Sequence, residues 1–232
     1  MPSVYRALVS LNNPCNCEKL AYLKLVKRGD IVVEVGANLG YFTRLFGNLV
    51  GAKGIVLAFE PIPQTREQLL RNVQDLNHVN VLPYAISDEV GRVDMFVPGN
   101  IHGQASLRRH LDSEWGAEKI VYSVTVECVP LAIISQIRQL NHIDFMKIDV
   151  EGAELQVLKG AREILVRDHP ILHLEIEQRW MTSFGYKADE VESFLRSIGY
   201  TFFFAYDKDW VALDGLNGFA GNNVVCASKD FS

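Results

Sequence analysis

The apolar positions of the chain repeat with two different periods. Ile31-Val32-Val33 with Val35, Ile55 to Phe59, Val79 to Leu82 and Phe145 to Ile148 are short, almost continuous apolar runs. Such runs are expected of parallel strands covered on both faces. Between them, Tyr41 to Val50, Gln64 to Leu76 and Leu131 to Leu140 carry apolar residues at helical spacing, with Leu69, Leu70, Val73 and Leu76 as the expected core stripe of the second. Strands alternating with helices predict an α/β chain built on a mostly parallel sheet. Toward the C-terminus a helix is predicted over Ala188 to Ile198, closed by Gly199, and then strands over Tyr200 to Tyr206 and Asn222 to Ala227.

Two segments depart from the alternation. Residues 1–29 hold a short periodic piece (Val4, Leu8, Val9, Leu11) and a stronger one (Leu20, Leu23, Leu25, Val26) that stops at Gly29, predicting a helical N-terminal extension of two short helices. Arg92 to Val97 and Ile120 to Cys128 read as strands bracketing a polar insertion, residues 98–119, that contains His102, Arg108, Arg109, His110 and Trp115. A connection of that length inside a compact domain is more often a lid or binding loop than a plain link, although a solvated loop with incidental charges has the same composition.

Composition narrows the picture. With 232 residues and 48% hydrophobic content the chain can bury a full core, and one domain over 1–232 is expected. A formal charge of −5 argues against broad electrostatic attraction to nucleic acid or anionic membrane. No apolar run approaches the roughly 20 residues of a membrane span, and the first residues lack a basic-then-apolar signal pattern, so a cytoplasmic location is the default expectation. Cys15, Cys17, Cys128 and Cys226 are too few and scattered for a disulfide framework, and Cys15-Asn-Cys17 has the wrong spacing for a zinc knuckle, so free thiols and no metal are expected.

The stretch from Asp30 to Thr43 carries the first chemistry. A buried strand interrupted by Glu34 runs into a turn bearing Gly36 and Gly40 and then into a helix, an architecture suited to a nucleotide-type cofactor because the glycines let backbone pass close to a ligand. The middle position of a dinucleotide fingerprint is filled by Asn38, which leaves the pattern acid-x-Gly-x-x-x-Gly. Glu60 closes the second strand about 20 residues further on, where a carboxylate accepts ribose hydroxyl hydrogens, and Pro61 ends that strand. After the third strand, Ile86 and Ser87 are placed to sandwich and hydrogen-bond a purine, or else form a simple turn.

The glycine loop resembles the first motif of class I S-adenosylmethionine (SAM) methyltransferases. Ile143 through Glu154, Leu158-Lys159-Gly160-Ala161, Val35 to Tyr41, Phe59-Glu60-Pro61, Ala85 to Asp88 and Pro170 through Glu175 together resemble the FkbM-type methyltransferases, over about residues 30 to 177. Ala132 stands where that family usually has an aspartate, which leaves any role tied to that carboxylate without its residue. The resemblance implies a doubly wound, mostly parallel seven-stranded Rossmann-like sheet with helices on both faces and an antiparallel closing strand. It also implies SAM as cofactor, held by Glu34, Gly36, Ala37, Asn38, Gly40, Tyr41, Glu60, Pro61, Ile86, Ser87 and Asp149, and O-methylation of a sugar, glycan or secondary metabolite. Two other readings share part of the pattern. An NAD-dependent oxidoreductase would need the glycine missing at Asn38, and a non-catalytic SAM-binding module would lack an acceptor pocket.

Methyl transfer to a hydroxyl benefits from a positioned base, and Asp149, at the carboxyl edge of the fourth long strand, is the first candidate, followed by Glu151 and Glu154. The same carboxylates would complement a helix N-terminus starting at Gly152, or flank a divalent cation, for which the sequence shows too few oxygen ligands. His173, Glu175 and Glu177 alternate with apolar residues on a strand the fold should bury. Glu175 and Glu177 are therefore expected to line the site, with His173 either a proton acceptor or one half of a buried hydrogen bond. The strand lacks the Asn/Asp-Pro-Pro-aromatic run associated with methylation of base amines, which lowers a nucleic-acid acceptor further.

Overall fold

The computed structural model describes residues 17–98, 106–107, 121–207, 209–219 and 223–229. The first predicted helix, Cys15 and most of the 98–119 insertion, including His102, Arg108, Arg109, His110 and Trp115, lie outside the described residues.

A single large sheet carries the fold. It contains β1 (Ile31–Val35), β2 (Ile55–Phe59), β3 (Val79–Leu82), β7 (Phe145–Ile148), β8 (Ile171–Glu175), β9 (Phe202–Asp207), β10 (Asp209–Leu213) and β11 (Asn223–Ala227), in the order β10-β9-β11-β8-β7-β1-β2-β3. The five strands from β3 to β8 run parallel and β11 returns antiparallel to β8, as the doubly wound expectation requires. The sheet has eight strands rather than seven because β10 folds back on β9 at the edge. β10 carries the apolar run Trp210-Val211-Ala212-Leu213, outside the strands expected from the sequence, and none of its residues is buried.

Helices cover both faces because successive strand residues point opposite ways. Val32, Val56, Phe145 and Val225 pack against α1 (Cys17–Leu25) and α2 (Tyr41–Val50). Val33, Val35, Met146, Ile148, Leu172 and Leu174 face the other layer, made of α4 (Leu131–Ile137), α5 (Glu154–Gly160), α6 (Arg162–Asp168) and α8 (Ala188–Ser197). Between β2 and β3 lies α3 (Pro63–Val73), and α7 (Gln178–Phe184) follows β8.

The bracketing strands do not join this sheet. β4 (Ala85–Ile86), β5 (Gly91–Pro98) and β6 (Val121–Val129) form a three-stranded sheet of their own, in which β5 and β6 pair antiparallel from Gly91↔Cys128 to Pro98↔Val121. That ladder brings the two ends of the insertion together. Its inner side, Met95, Val97, Val126 and Cys128, packs on Ile62 and Ala85 beside the main sheet.

Two expectations are corrected here. Leu70 is 50% exposed, while Leu69 and Val73 are buried against Ala37 and Ala58, so the core stripe of α3 is narrower than the spacing implied. The helix after β7 begins at Glu154 rather than Gly152, because Glu151 (φ 54°) and Gly152 (φ 103°) are left-handed and cannot enter a right-handed helix. Leu69→Ala is expected to cost about 2–5 kcal/mol and Leu70→Ala less than about 0.5 kcal/mol, as measured by urea denaturation of the two variants.

Candidate active site

The strand order reverses between β1 and β7, and a doubly wound sheet opens its binding crevice beyond the carboxyl ends of such a pair. The two ends are stitched together, with Asp149 N–H donating to the Val35 carbonyl at 3.1 Å. Gly36 (φ 85°) makes this approach possible, since a Cβ there would lie 1.9 Å from the Asp149 carbonyl oxygen. A cleft of about 260 Å³ follows, lined by Glu34, Gly36, Ala37, Asn38, Tyr41, Glu60, Pro61, Ile86, Asp149 and Glu151 among others.

One end of the cleft is shaped around Glu60. Its Oε2 accepts from the Asn38 N–H at 2.9 Å and its Oε1 from the Ile62 N–H at 2.8 Å, so both oxygens are fixed and each retains a lone pair. Burial pushes its pKa up to about 7 against those two hydrogen bonds. Asn38 adopts φ 50°, and its buried Oδ1 has no hydrogen-bond partner. A buried acceptor left unsatisfied is costly, which marks it as a point of ligand contact. Phe59, Pro61, Tyr84 and Ile86 form an apolar wall beside Glu60. An oriented carboxylate, an orphaned amide oxygen and an apolar slot fit a nucleoside with a ribose diol and a purine.

The other end is carboxylate-rich: Asp149 and Glu151 line it, whereas Glu175, expected to line the site, is not among the lining residues and has a buried Oε2 without a hydrogen-bond partner. Asp149, Glu151 and Glu175 each bring an oxygen within 4.8 Å of the other two. Lys147 Nζ donates to Asp149 Oδ2 at 2.5 Å. Burial acts to raise the Asp149 pKa, yet the Lys147 ammonium, its hydrogen bond and one from Glu175 hold it below the usual carboxylate range. Glu151 and Glu175 go the other way. Burial, then the Asp149 and Glu154 charges, push Glu151 up to about 8, while burial followed by Asp149, Glu151 and Glu154 takes Glu175 up to about 10. Glu154 is a clamp rather than a lining group, since its Oε1 accepts from the Val150 and Gly152 N–H groups at 3.2 Å and its Oε2 from the Tyr186 hydroxyl at 3.2 Å.

Beneath the site a row of polar side chains crosses the sheet. Register pairs Glu34 with Lys147 and Lys147 with His173, placing all three on the α1/α2 face. Glu34 is buried, and its Oε2 accepts from the Thr43 hydroxyl at 2.6 Å. Burial raises its pKa to about 8 against the attraction of Lys147. The Tyr22 hydroxyl donates to Glu18 Oε1 at 2.5 Å and lies 3.1 Å from His173 Nδ1.

Several predicted residues sit elsewhere than expected. His173 is buried under Tyr22 and does not line the cleft, and burial, with the Lys147 charge beside it, pulls its pKa down to about 3 and keeps it neutral. The buried-hydrogen-bond alternative is therefore the one observed, with Tyr22 rather than a glutamate as partner. Gly40 is left-handed but faces α3, where a Cβ would meet Leu69 Cδ1 at 2.3 Å, so its vacancy serves packing and not a ligand. Ser87 turns from the cleft, its hydroxyl donating to Asp88 at 3.2 Å. Glu177 lies past the strand, at the N-terminus of α7, 3.5 Å from Arg179.

Sequence reasoning missed Lys147, Glu18 and Tyr22. The signal for Lys147 was present, since a lone cation inside the buried strand Phe-Met-Lys-Ile requires a partner. Of the insertion, the described residues Ser106 and Leu107 lie over the cleft. Ser106 bridges to Phe96 and donates its hydroxyl to the Glu151 carbonyl at 2.9 Å, and Leu107 lines the wall. Cys128 and Cys226 are buried free thiols, and no described helix is long and apolar enough to cross a membrane.

Comparison with known proteins agrees with this geometry. The Methyltransferase FkbM domain model matches residues 34–202. The 2-O-methyltransferase NoeI of Sinorhizobium fredii is 31% identical over 153 residues, 62% of each chain. The 31-O-demethyl-FK506 methyltransferase FkbM of Streptomyces tacrolimicus is 30% identical over 161 residues, covering 60% of this chain and 62% of that one. The hexuronic acid methyltransferase AglP of Haloferax volcanii is 30% identical over 145 residues, 62% of this chain and 54% of that one. The chain thus spans little more than half to about three-fifths of the length of these relatives. Among solved structures, methyltransferase FkbM from Methylobacillus flagellatus superposes with TM-score 0.52 at 18% identity, covering 91% of this chain and 50% of that one. A SAM-dependent methyltransferase from Aquifex aeolicus superposes at 0.50 and 18%, covering 98% and 97%. At such identities the superpositions speak for the fold, and the family match supplies the rest: this chain belongs to the FkbM methyltransferase family.

Proposed function

We propose that the protein is a SAM-dependent O-methyltransferase acting on a hydroxyl of a sugar, glycan or secondary metabolite, with residues 1–232 as one catalytic domain and the 98–119 insertion as the lid over its acceptor. The observation that carries this reading is a carboxylate, Asp149, held ionised by Lys147 at 2.5 Å between the cofactor turn and two further carboxyl groups. When bound, SAM supplies an electrophilic methyl group. The chain has to bind and orient both partners and accept one proton.

In this reading Glu60 accepts the ribose hydroxyl hydrogens, the Tyr84 and Ile86 wall covers the adenine, and the orphaned Asn38 Oδ1 takes a donor from the cofactor. Glu34, beside Lys147 and hydrogen-bonded to Thr43, closes the end of the cleft under Gly36. Asp149 takes the proton of the acceptor hydroxyl, Glu151 holds a neighbouring hydroxyl, and Glu175 hydrogen-bonds Asp149. A polyhydroxylated acceptor suits carboxyl groups that can each donate or accept a hydrogen bond according to protonation. Relatives named for a 2-O position and for a 31-O-demethyl substrate support oxygen as the acceptor atom.

Three outcomes are expected. Glu60→Ala weakens SAM binding, measured by equilibrium dialysis, by about tenfold to a hundredfold, the worth of hydrogen bonds to a charged group. Wild-type affinity rises as the pH passes upward through about 7, where Glu60 becomes a full carboxylate, and Glu60→Gln loses that dependence. Asp149→Asn lowers transfer of labelled methyl into a glycan or small-molecule fraction by about 10² to 10⁴. Label unaffected by the mutation removes Asp149 from the chemistry, and SAM binding without transfer to a broad acceptor panel favours the non-catalytic module.

A further inference from the structure

The carboxylate cluster holds a problem of charge that the proposed reaction has to solve. Asp149, Glu151 and Glu175 offer oxygens within 4.8 Å of one another, and like charges at that distance cannot all be ionised. A base must be charged and its neighbours must not compete for the proton. Any of the three could serve, on proximity alone.

The surroundings of Lys147 break the tie. Its side chain is buried, rises from β7 between Glu34 on β1 and His173 on β8, and lies with Nζ 5.2 Å above the Phe42 ring. From α1, Glu18 and Tyr22 face the same space, but Glu18 is tied to the Tyr22 hydroxyl. Glu34 has Thr43 as its donor, and His173 is neutral beside Tyr22. Among the described residues, the carboxylate within ion-pair distance of Nζ is Asp149, at 2.5 Å.

We propose that Lys147 is the positioning residue of this site: by pairing with Asp149 it fixes the cluster's negative charge there, leaves Glu151 and Glu175 protonated as hydrogen-bond donors, and so selects which carboxylate accepts the proton. The last clause rests on the methyltransferase reading above, whereas the charge placement stands on its own. The raised pKa of Glu151 and Glu175 and the lowered pKa of Asp149 have the signs this arrangement requires. The acceptor hydroxyl gives its proton to Asp149 Oδ, the neutral Glu151 donates to another oxygen of the acceptor, and the neutral Glu175 donates to Asp149 itself.

The test is a pH titration of protein carrying ¹³C-labelled Asp and Glu carboxyls, followed by NMR. Asp149→Asn and Glu175→Gln identify the two resonances by their loss. In the wild type, Asp149 should ionise below the ordinary aspartate range and Glu175 well above the glutamate range. Lys147→Met, which keeps the stem and removes the charge, should raise the Asp149 midpoint by about one pH unit or more. Glu175→Gln, which resembles the protonated acid, should leave the Asp149 midpoint in place. In the transfer assay, the acid limb of the rate profile should move to higher pH in Lys147→Met by about as much as the Asp149 midpoint does. Lys147→Arg should reverse part of that shift.

An Asp149 midpoint unchanged by Lys147→Met, or a wild type in which Glu175 ionises before Asp149, overturns the proposal. The second result is read on wild-type protein, so it is decisive even if Lys147→Met fails to fold. If no acceptor is methylated at all, the proposed function fails while the NMR arms still decide where the charge lies.

Discussion

The structure depends on a cation placed where sheets normally admit none. Lys147 sits in the middle of the central strand, and an unpaired ammonium there would lose its proton or unfold the strand. Asp149, two residues on, supplies the counter-charge, and it can do so because the backbone leaves the strand at that point. The pair therefore links the sheet interior to the rim of the cleft. Everything around it is arranged to avoid spare charge: Glu34 and Glu175 are pushed toward the neutral form, and His173 is held unprotonated.

The same economy explains the α1/α2 face. Glu34, Lys147 and His173 cover the sheet beneath Tyr22, Phe42 and Phe46, and the Tyr22 ring meets the two phenylalanines edge to face at centroid distances of 5.2 and 4.9 Å. Aromatic faces accept a cation and exclude water, so a polar row can lie in an otherwise apolar layer. Tyr22 spans both worlds, with its ring in the cluster and its hydroxyl between Glu18 and His173. Glu18 and Tyr22 precede the residues matched by the family model, so the floor of the site is completed by a segment outside the matched domain.

The parts legible in the sequence are those whose meaning is local. An apolar run ending in glycine placed β1 and its turn, and an acid at a strand end placed Glu60 and Asp149, because strand, turn and carboxylate lie within a few residues of each other. The parts that were not legible depend on partners far along the chain. Tyr22 and His173 are 151 residues apart, and no spacing rule joins them. Gly40 looked like a ligand-facing glycine, but Leu69, on the next helix, is what requires its missing side chain. Ser87 had the right position and the wrong direction, since its carbonyl packs where a Cβ on Gly160 would clash at 1.9 Å. The edge strand β10 was missed although Trp210 to Leu213 form an apolar run, and nothing in it is buried.

The separation of the two sheets has a further consequence. The turn at Gly36 and the strand end at Asp149 belong to the large sheet and meet backbone to backbone, so a change at one bears on the other. The span between 98 and 121 is carried by β5 and β6, whose inner side packs on Ile62 and Ala85. Such a mounting tolerates change in length and composition at little thermodynamic cost. A lineage can then vary that span as long as it keeps the contacts Ser106 and Leu107 make with the cleft.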